Sequence, residues 1–308
     1  MHGSDMPEPE RPQPGGTVLS TAEWQARAAA HRARVEQYTT PRRERRARGA
    51  SHPVHDFLFQ YYSYSPAKLE AWHPSPGEAL EDSAEARERF PEPVYGAAEG
   101  VVWRMASAMS RAERDTLTKV RDVLRATHER PAQFGCYGMH EWAMVYGGHD
   151  VRHAQVAPLR MPQAELDAFV ESRPILCSHF EAFRFFAPAA KPLNRVLLTY
   201  ETRHDLEQPG CIHANMDLYR WAFTCMPWVG SELLWQCFAL AVDLRRLDME
   251  AGPYDLRAFG VEAVRVETPE GREEYQRRQR ALSERARGVR SALIEELAAV
   301  LEAGEERR

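Results

Sequence analysis

Residues 210–223, GCIHANMDLYRWAF, crowd a histidine, an asparagine and an aspartate between a Pro-Gly turn and an apolar run. Asp217 stands four residues after His213. On a helix that spacing stacks the two side chains on one face, so an imidazole and a carboxylate can grip one ion. Two further histidines lie in compact polar-aromatic clusters, His140-Glu141-Trp142 and His179-Phe180-Glu181. Adding His140 or His179 to His213 and Asp217 gives two imidazoles and a carboxylate. That donor set leaves open positions on iron(II) and suits a non-haem oxygenase or oxidase acting on a small aromatic molecule; zinc takes the same donors. His149 and His153 repeat the four-residue spacing but flank no apolar run. The bland alternative is that each histidine is a hydrogen-bonded core residue, since buried imidazoles and carboxylates often satisfy one another.

Competing catalytic templates are missing. The chain holds no P-loop, no GxGxxG, no GxSxG nucleophile elbow and no HExxH. Cys136, Cys177 and Cys211 each lie near a histidine, but in an apolar stretch a thiol is ordinarily a small core residue.

The strings HPVHDFLFQYYSYSPAKLEAWHP, GCYGMHEWAMVY, CSHFEAFRFF, QPGCIHANMDLYRWAF and LDMEAGPYDL resemble a group of actinobacterial proteins labelled 3-methyladenine DNA glycosylase. The resemblance spans roughly residues 20–285. It implies a metal-free base-excision enzyme that turns an alkylated adenine out of the DNA stack into an aromatic pocket. Methylation makes that base cationic, so stacking on Trp or Tyr adds a cation–π term of about 0.5–2 kcal/mol. A carboxylate would then stabilise the oxocarbenium-like sugar or activate water. Glu141 beside Trp142 and Tyr146 can supply it, as can Asp217 beside Tyr219 and Trp221, with Arg152 on a phosphate. The chain carries neither a helix-hairpin-helix glycine signature nor a Cys/His zinc arrangement nor a helical repeat. No catalytic residue therefore transfers by motif from the better-understood alkyladenine glycosylases.

These residues need elements to position them. The reading is mostly α with a small β-sheet (α+β), with amphipathic helices around one core, as one globular domain over 19–304 behind a disordered tail at 1–18. Ser20-Thr21-Ala22-Glu23 is a capping box opening a helix to about Tyr38. The arginine run Arg42–Arg48 after it is either a solvated arm or a phosphate-contacting patch for DNA. Residues 75–100 look like a loop with a short helix, and Val101–His128 like a helix broken near Ser110. A helix is expected from about His213, presenting His213 and Asp217 inward with Trp221 continuing the face. Apolar positions 234, 237, 238, 241, 244 and 247 keep a 3.6-residue period behind Ser231. VEAVRVE, 261–267, is a candidate strand, and Thr268-Pro269 caps a last long helix.

A net charge of −5 over 308 residues gives no overall pull on nucleic acid or anionic lipid. Five scattered cysteines without a CxxC fit a reduced compartment. The first residues lack the basic and apolar regions of a secretory signal, and no apolar run reaches membrane-spanning length. A cytoplasmic protein is expected.

Overall fold

The computed structural model describes residues 16–148 and 157–304. Five long helices dominate it: Thr21–Ala47, Arg111–Glu129, Ile212–Thr224, Ser231–Glu250 and Pro269–Ala303. The protein is mostly helical with one small mixed sheet. Local chemistry sets the helix starts. Ser20 Oγ accepts from Glu23 N, while the Glu23 carboxylate accepts from Ser20 N. Ser110 and Glu113 repeat that box. Thr268 caps the last helix, and Pro269 takes the first position, where a missing N–H costs nothing.

The sheet has four strands: β1 (Thr17–Leu19), β2 (Glu78–Glu81), β3 (Tyr95–Ala98) and β4 (Val101–Arg104), in the order β1-β2-β4-β3. β1 runs parallel to β2, with Val18 opposite Ala79. β4 is antiparallel to both neighbours, pairing Val102 with Leu80 and with Ala97. The two-residue turn between β3 and β4, Glu99-Gly100, holds both residues at positive φ, which matches the twist of a tight hairpin. One face of the sheet covers the first helix through Leu19, Trp24, Leu80, Phe90 and Val102.

Several expectations are corrected here. The first helix does not stop at Tyr38; it runs through Pro41 to Ala47. Proline removes one donor, but the turns around it are tied down from outside. Thr39 and Arg43 both bond Glu70, and Arg45 makes two bonds to the buried Asp56. Val101–Arg104 is a strand, because its Val-Val-Trp run pairs on both edges; the helix begins only after the Ser110 cap. The stretch 75–100 holds β2 and β3 besides a short helix. Residues 261–267 form no strand. Ser231 is the first helical residue and not the cap; its hydroxyl accepts from His73 N and donates to the Ala71 carbonyl. Residues 17 and 18 belong to β1, while 1–15 lie outside the described residues.

The expected single core is divided: besides the cluster under the sheet, two larger cores remain. One joins the Arg111, Ile212, Ser231 and Pro269 helices through Leu117, Leu124, Tyr219, Phe238 and Leu293. The other gathers the short elements of 139–198 with the 247–275 stretch, around Trp142, Val170, Phe186, Tyr254 and Tyr275. The Ser231–Glu250 helix belongs to both: Phe238 and Leu244 enter the first core, Leu247 and Met249 the second. The seam between these cores is where polar side chains collect.

Candidate metal centre

Four segments meet at the seam. His140 and Glu141 come from the short Met139–Met144 helix, His179 from the residue ahead of Phe180–Phe183, His213 and Asp217 from Ile212–Thr224, and Arg245 and Asp248 from Ser231–Glu250. The Met139 helix starts on Gly138 at φ +68, and a Cβ there would come within 3.4 Å of Ala251. Glycine thus permits both the left-handed turn and the close packing that aim His140. The Ile212 helix is fixed by its neighbour. Ser283 and Asn215 both bond the Pro209 carbonyl, and Gln279 donates to the Gly210 carbonyl. Gly210 leaves no room for a Cβ, which would meet Gln133 O at 2.4 Å.

His140, His179 and His213 converge. The His140 and His213 ring centroids are 4.2 Å apart, nearly perpendicular; those of His179 and His213 are 5.5 Å apart and roughly parallel. His213 and Asp217 do face the same interior, as the helical spacing predicts, yet they do not serve one ion-sized gap. The metal-capable donors among the described residues fall into two groups, His140–His213–Asp248 and His179–Glu207–Asp217, each with its donor atoms within 4.8 Å of one another. The four-residue step places the helix's two donors one in each group.

In the first group, His140 Nε2 lies 3.0 Å from Asp248 Oδ1. Both atoms are nevertheless buried with no aligned hydrogen-bond partner among the described residues. His213 Nε2 stands 4.0 Å from Asp248 Oδ2. Arg245 donates to Asp248 Oδ2 at 2.6 Å and to Glu141 Oε1 at 3.0 Å, and Tyr254 donates to Glu141 Oε2 at 3.3 Å. Two carboxylates thus face one guanidinium, leaving one negative charge to be met by a proton or a cation. Burial pulls the His213 pKa down to about 3, helped by His140, so this ring stays neutral and able to ligate. Burial also opposes charge on His140, but the Asp248 carboxylate outweighs it and raises this pKa well above the ordinary value. Burial would raise Glu141, yet His140 and Arg245 hold it down at about 2.

The second group is more thoroughly bonded. Asp217 Oδ1 accepts from Tyr62 at 2.8 Å; Oδ2 contacts His179 Nε2 at 3.2 Å and Arg220 at 2.7 Å. Burial favours the neutral acid here, but Arg220 and His179 hold its pKa at about 2. Glu207 is buried, with His204 Nδ1 at 3.5 Å.

The histidines of both groups and Asp217 border a cavity of about 270 Å³. Its apolar wall is formed by Phe57, Tyr61, Met144, Phe185 and Met216, while His140, Glu141, His179, His213, Asp217 and Arg245 face it from the seam. The Phe57 and Tyr61 rings stack at 5.2 Å, and the Arg245 guanidinium lies 3.7 Å over Phe57.

Glu141 and Asp217, the two carboxylates singled out in the sequence, both face this cavity and both carry arginine partners. Their aromatic neighbours in the chain do not line it. Trp142 is fully buried, donating to the Ala251 carbonyl and packing on Phe169. Tyr219 is locked among Tyr62, Tyr64, Phe223 and Phe238. Tyr146 bonds Glu171, and Trp221 lies under Arg220 beside His204. Arg152, His149 and His153 fall outside the described residues. In the Arg42–Arg48 run, Arg42 covers Phe59 while Arg43 and Arg45 pair with Glu70 and Asp56; Arg46 and Arg48 are exposed.

Sequence reading missed Asp248, Arg245 and Glu207. One signal existed: Arg245 and Asp248 interrupt the apolar face that Leu244 and Leu247 continue, and a charged pair on a buried stripe marks a polar seam. No helix among the described residues is long and apolar enough to cross a membrane. No family model, no curated protein and no solved structure matches this chain.

Proposed function

We propose that the protein is a metal-dependent enzyme, a non-haem iron oxygenase or oxidase for a small aromatic substrate, with His140, His213 and Asp248 holding the ion. One observation carries the reading. Two imidazoles and a carboxylate converge at a buried point, and His140 Nε2 and Asp248 Oδ1 face each other at 3.0 Å without sharing a hydrogen bond. Buried polar atoms are nearly always satisfied, and a cation bound between this pair would take the place of the proton that Asp248 draws onto His140. Glu141 and Asp248 carry two negative charges against the one positive charge of Arg245, and the His140 proton that balances them is what a bound ion would displace. Two histidines and one carboxylate leave coordination positions open for substrate and dioxygen on iron(II).

The protein's own groups would do the rest. Phe57 and Tyr61 offer a flat stacking wall, and the cavity suits one or two rings, since about 150 Å³ of apolar space holds benzene. Arg245 fixes Asp248 and Glu141 in place, leaving Asp248 Oδ1 turned to His140. The test is elemental analysis of purified full chain, followed by anaerobic iron(II) loading and oxygen uptake with one- and two-ring phenols and anilines. One iron per chain, lost in Asp248→Asn, supports the reading. Protein that takes up neither iron nor zinc at micromolar concentration overturns it. Zinc in place of iron would keep the donor set and replace redox chemistry with hydrolysis.

A second reading, the base-excision glycosylase implied by the family resemblance, is supported by Asp217 and Glu141 facing an aromatic-lined cavity of purine size. Metal-stripped protein that releases free base from methylated duplex DNA, and loses this in Asp217→Asn, would favour it.

A further inference from the structure

We propose that the centre is dinuclear, with a second divalent ion held by His179, Glu207 and Asp217. This rests on the metal reading above and extends it to residues that reading does not use. The three donors are all buried, and their ligating atoms lie within 4.8 Å of one another. His179 Nε2, the ring nitrogen that an ion would use, already points at Asp217 Oδ2 from 3.2 Å. Glu207 brings a buried carboxylate that feels the Arg220 and Arg290 guanidiniums and has His204 Nδ1 at 3.5 Å, too long for a hydrogen bond of ordinary strength.

Helix geometry links the two groups. His213 and Asp217 are one turn apart, a rise of about 6 Å at 1.5 Å per residue. One helix face therefore hands a ligand to each of two neighbouring positions. The parallel His179 and His213 rings, 5.5 Å apart, mark the boundary between them. His140 and His213 of the first group and His179 and Asp217 of the second line the same aromatic-walled cavity, so one substrate could lie near both ions. One imidazole with two carboxylates is a harder set than the first group's and suits manganese(II) or iron(II).

Asp217 has room for an ion. A carboxylate offers about four lone-pair positions, and Tyr62, His179 and Arg220 take three. The open one is on Oδ1.

The experiment is equilibrium dialysis of chelator-stripped full chain against manganese(II), read as equivalents bound and by electron paramagnetic resonance. Wild type is expected to bind two equivalents with a signal broadened by dipolar coupling between the ions. Glu207→Gln and His179→Asn should each bind one, uncoupled, and Asp248→Asn should also bind one. Circular dichroism checks that the variants are folded, and the wild-type count stands whether or not they are. One equivalent in wild type, kept by Glu207→Gln and lost in Asp248→Asn, overturns the second ion and leaves the proposed function intact. Two equivalents unaffected by Glu207→Gln and His179→Asn also overturn it. No binding to any form overturns both.

Discussion

The two donor groups sit side by side and differ in how fully protein atoms satisfy them. Around Asp248, one carboxylate oxygen is held by Arg245 and the other faces His140 without an aligned bond. Around Asp217, Tyr62, Arg220 and His179 occupy both oxygens. An ion entering the first group gives orphaned atoms a partner, whereas one entering the second competes with bonds already made. The difference teaches that donor identity and spacing do not by themselves rank two sites; the bonds that must be shared or given up do. The first group should therefore fill first.

The largest effect tests the arginines beneath each group. Arg245 is almost wholly buried against two carboxylates, so Arg245→Met strands both charges; removing one partner of a buried pair costs about 3–5 kcal/mol. Arg220 keeps roughly a quarter of its side chain exposed, so Arg220→Met should cost less, about 1.5–3 kcal/mol for a lost charged hydrogen bond. Urea denaturation of the ion-free proteins measures both. Equal losses would break the comparison, because they would make the two groups electrostatically alike.

Ion affinity comes next. Asp248→Asn should weaken the tighter equivalent by roughly a hundredfold or more, beyond the range for outer-shell changes. Asp217→Asn should leave that equivalent within about tenfold, because it acts there only as an outer neighbour. Calorimetric titration with zinc(II) reads both, and the reverse order would assign the tight site to the second group. Saturation gives a parallel readout. At a hundred times its dissociation constant, an ion bound only to the folded state adds about 2.7 kcal/mol to unfolding. At an ion concentration that fills only the tighter site, wild type should show that gain in urea and Asp248→Asn should not.

The same contrast explains what the sequence made legible. Helix starts were readable because capping is local: Ser20, Ser110 and Thr268 each bond a backbone amide three residues on. The convergence of His140, His179 and His213 was readable as clustered polar residues in apolar segments. The partition of ligands was not. Asp217 looked like the partner of His213 because they share a helix face, but Asp248 reaches that imidazole from another helix 35 positions further on. Likewise, Val101–Arg104 became a strand through partners at Leu80 and Ala97, which its own periodicity cannot name. The first helix outran Pro41 because Glu70 and Asp56 hold its far end. Tertiary bonds overrode local preference at each of these positions.

Tyr62 gives the smallest and sharpest test. Its hydroxyl donates to Asp217 Oδ1, the oxygen with a lone pair to spare, and the ring stays packed against Tyr219 without it. Tyr62→Phe should cost the fold about 0.5–1.5 kcal/mol, the net worth of one hydrogen bond. If existing bonds are what weaken the second group, freeing Oδ1 should tighten the second ion by several-fold, since about 1 kcal/mol corresponds to roughly fivefold in affinity. The first equivalent should not move. A tenfold or greater loss of the second ion instead would show that Tyr62 orients the carboxylate as an outer-shell partner. Saturation by protein atoms would then be preparation for the ion and not competition with it, and the contrast between the two groups would reverse.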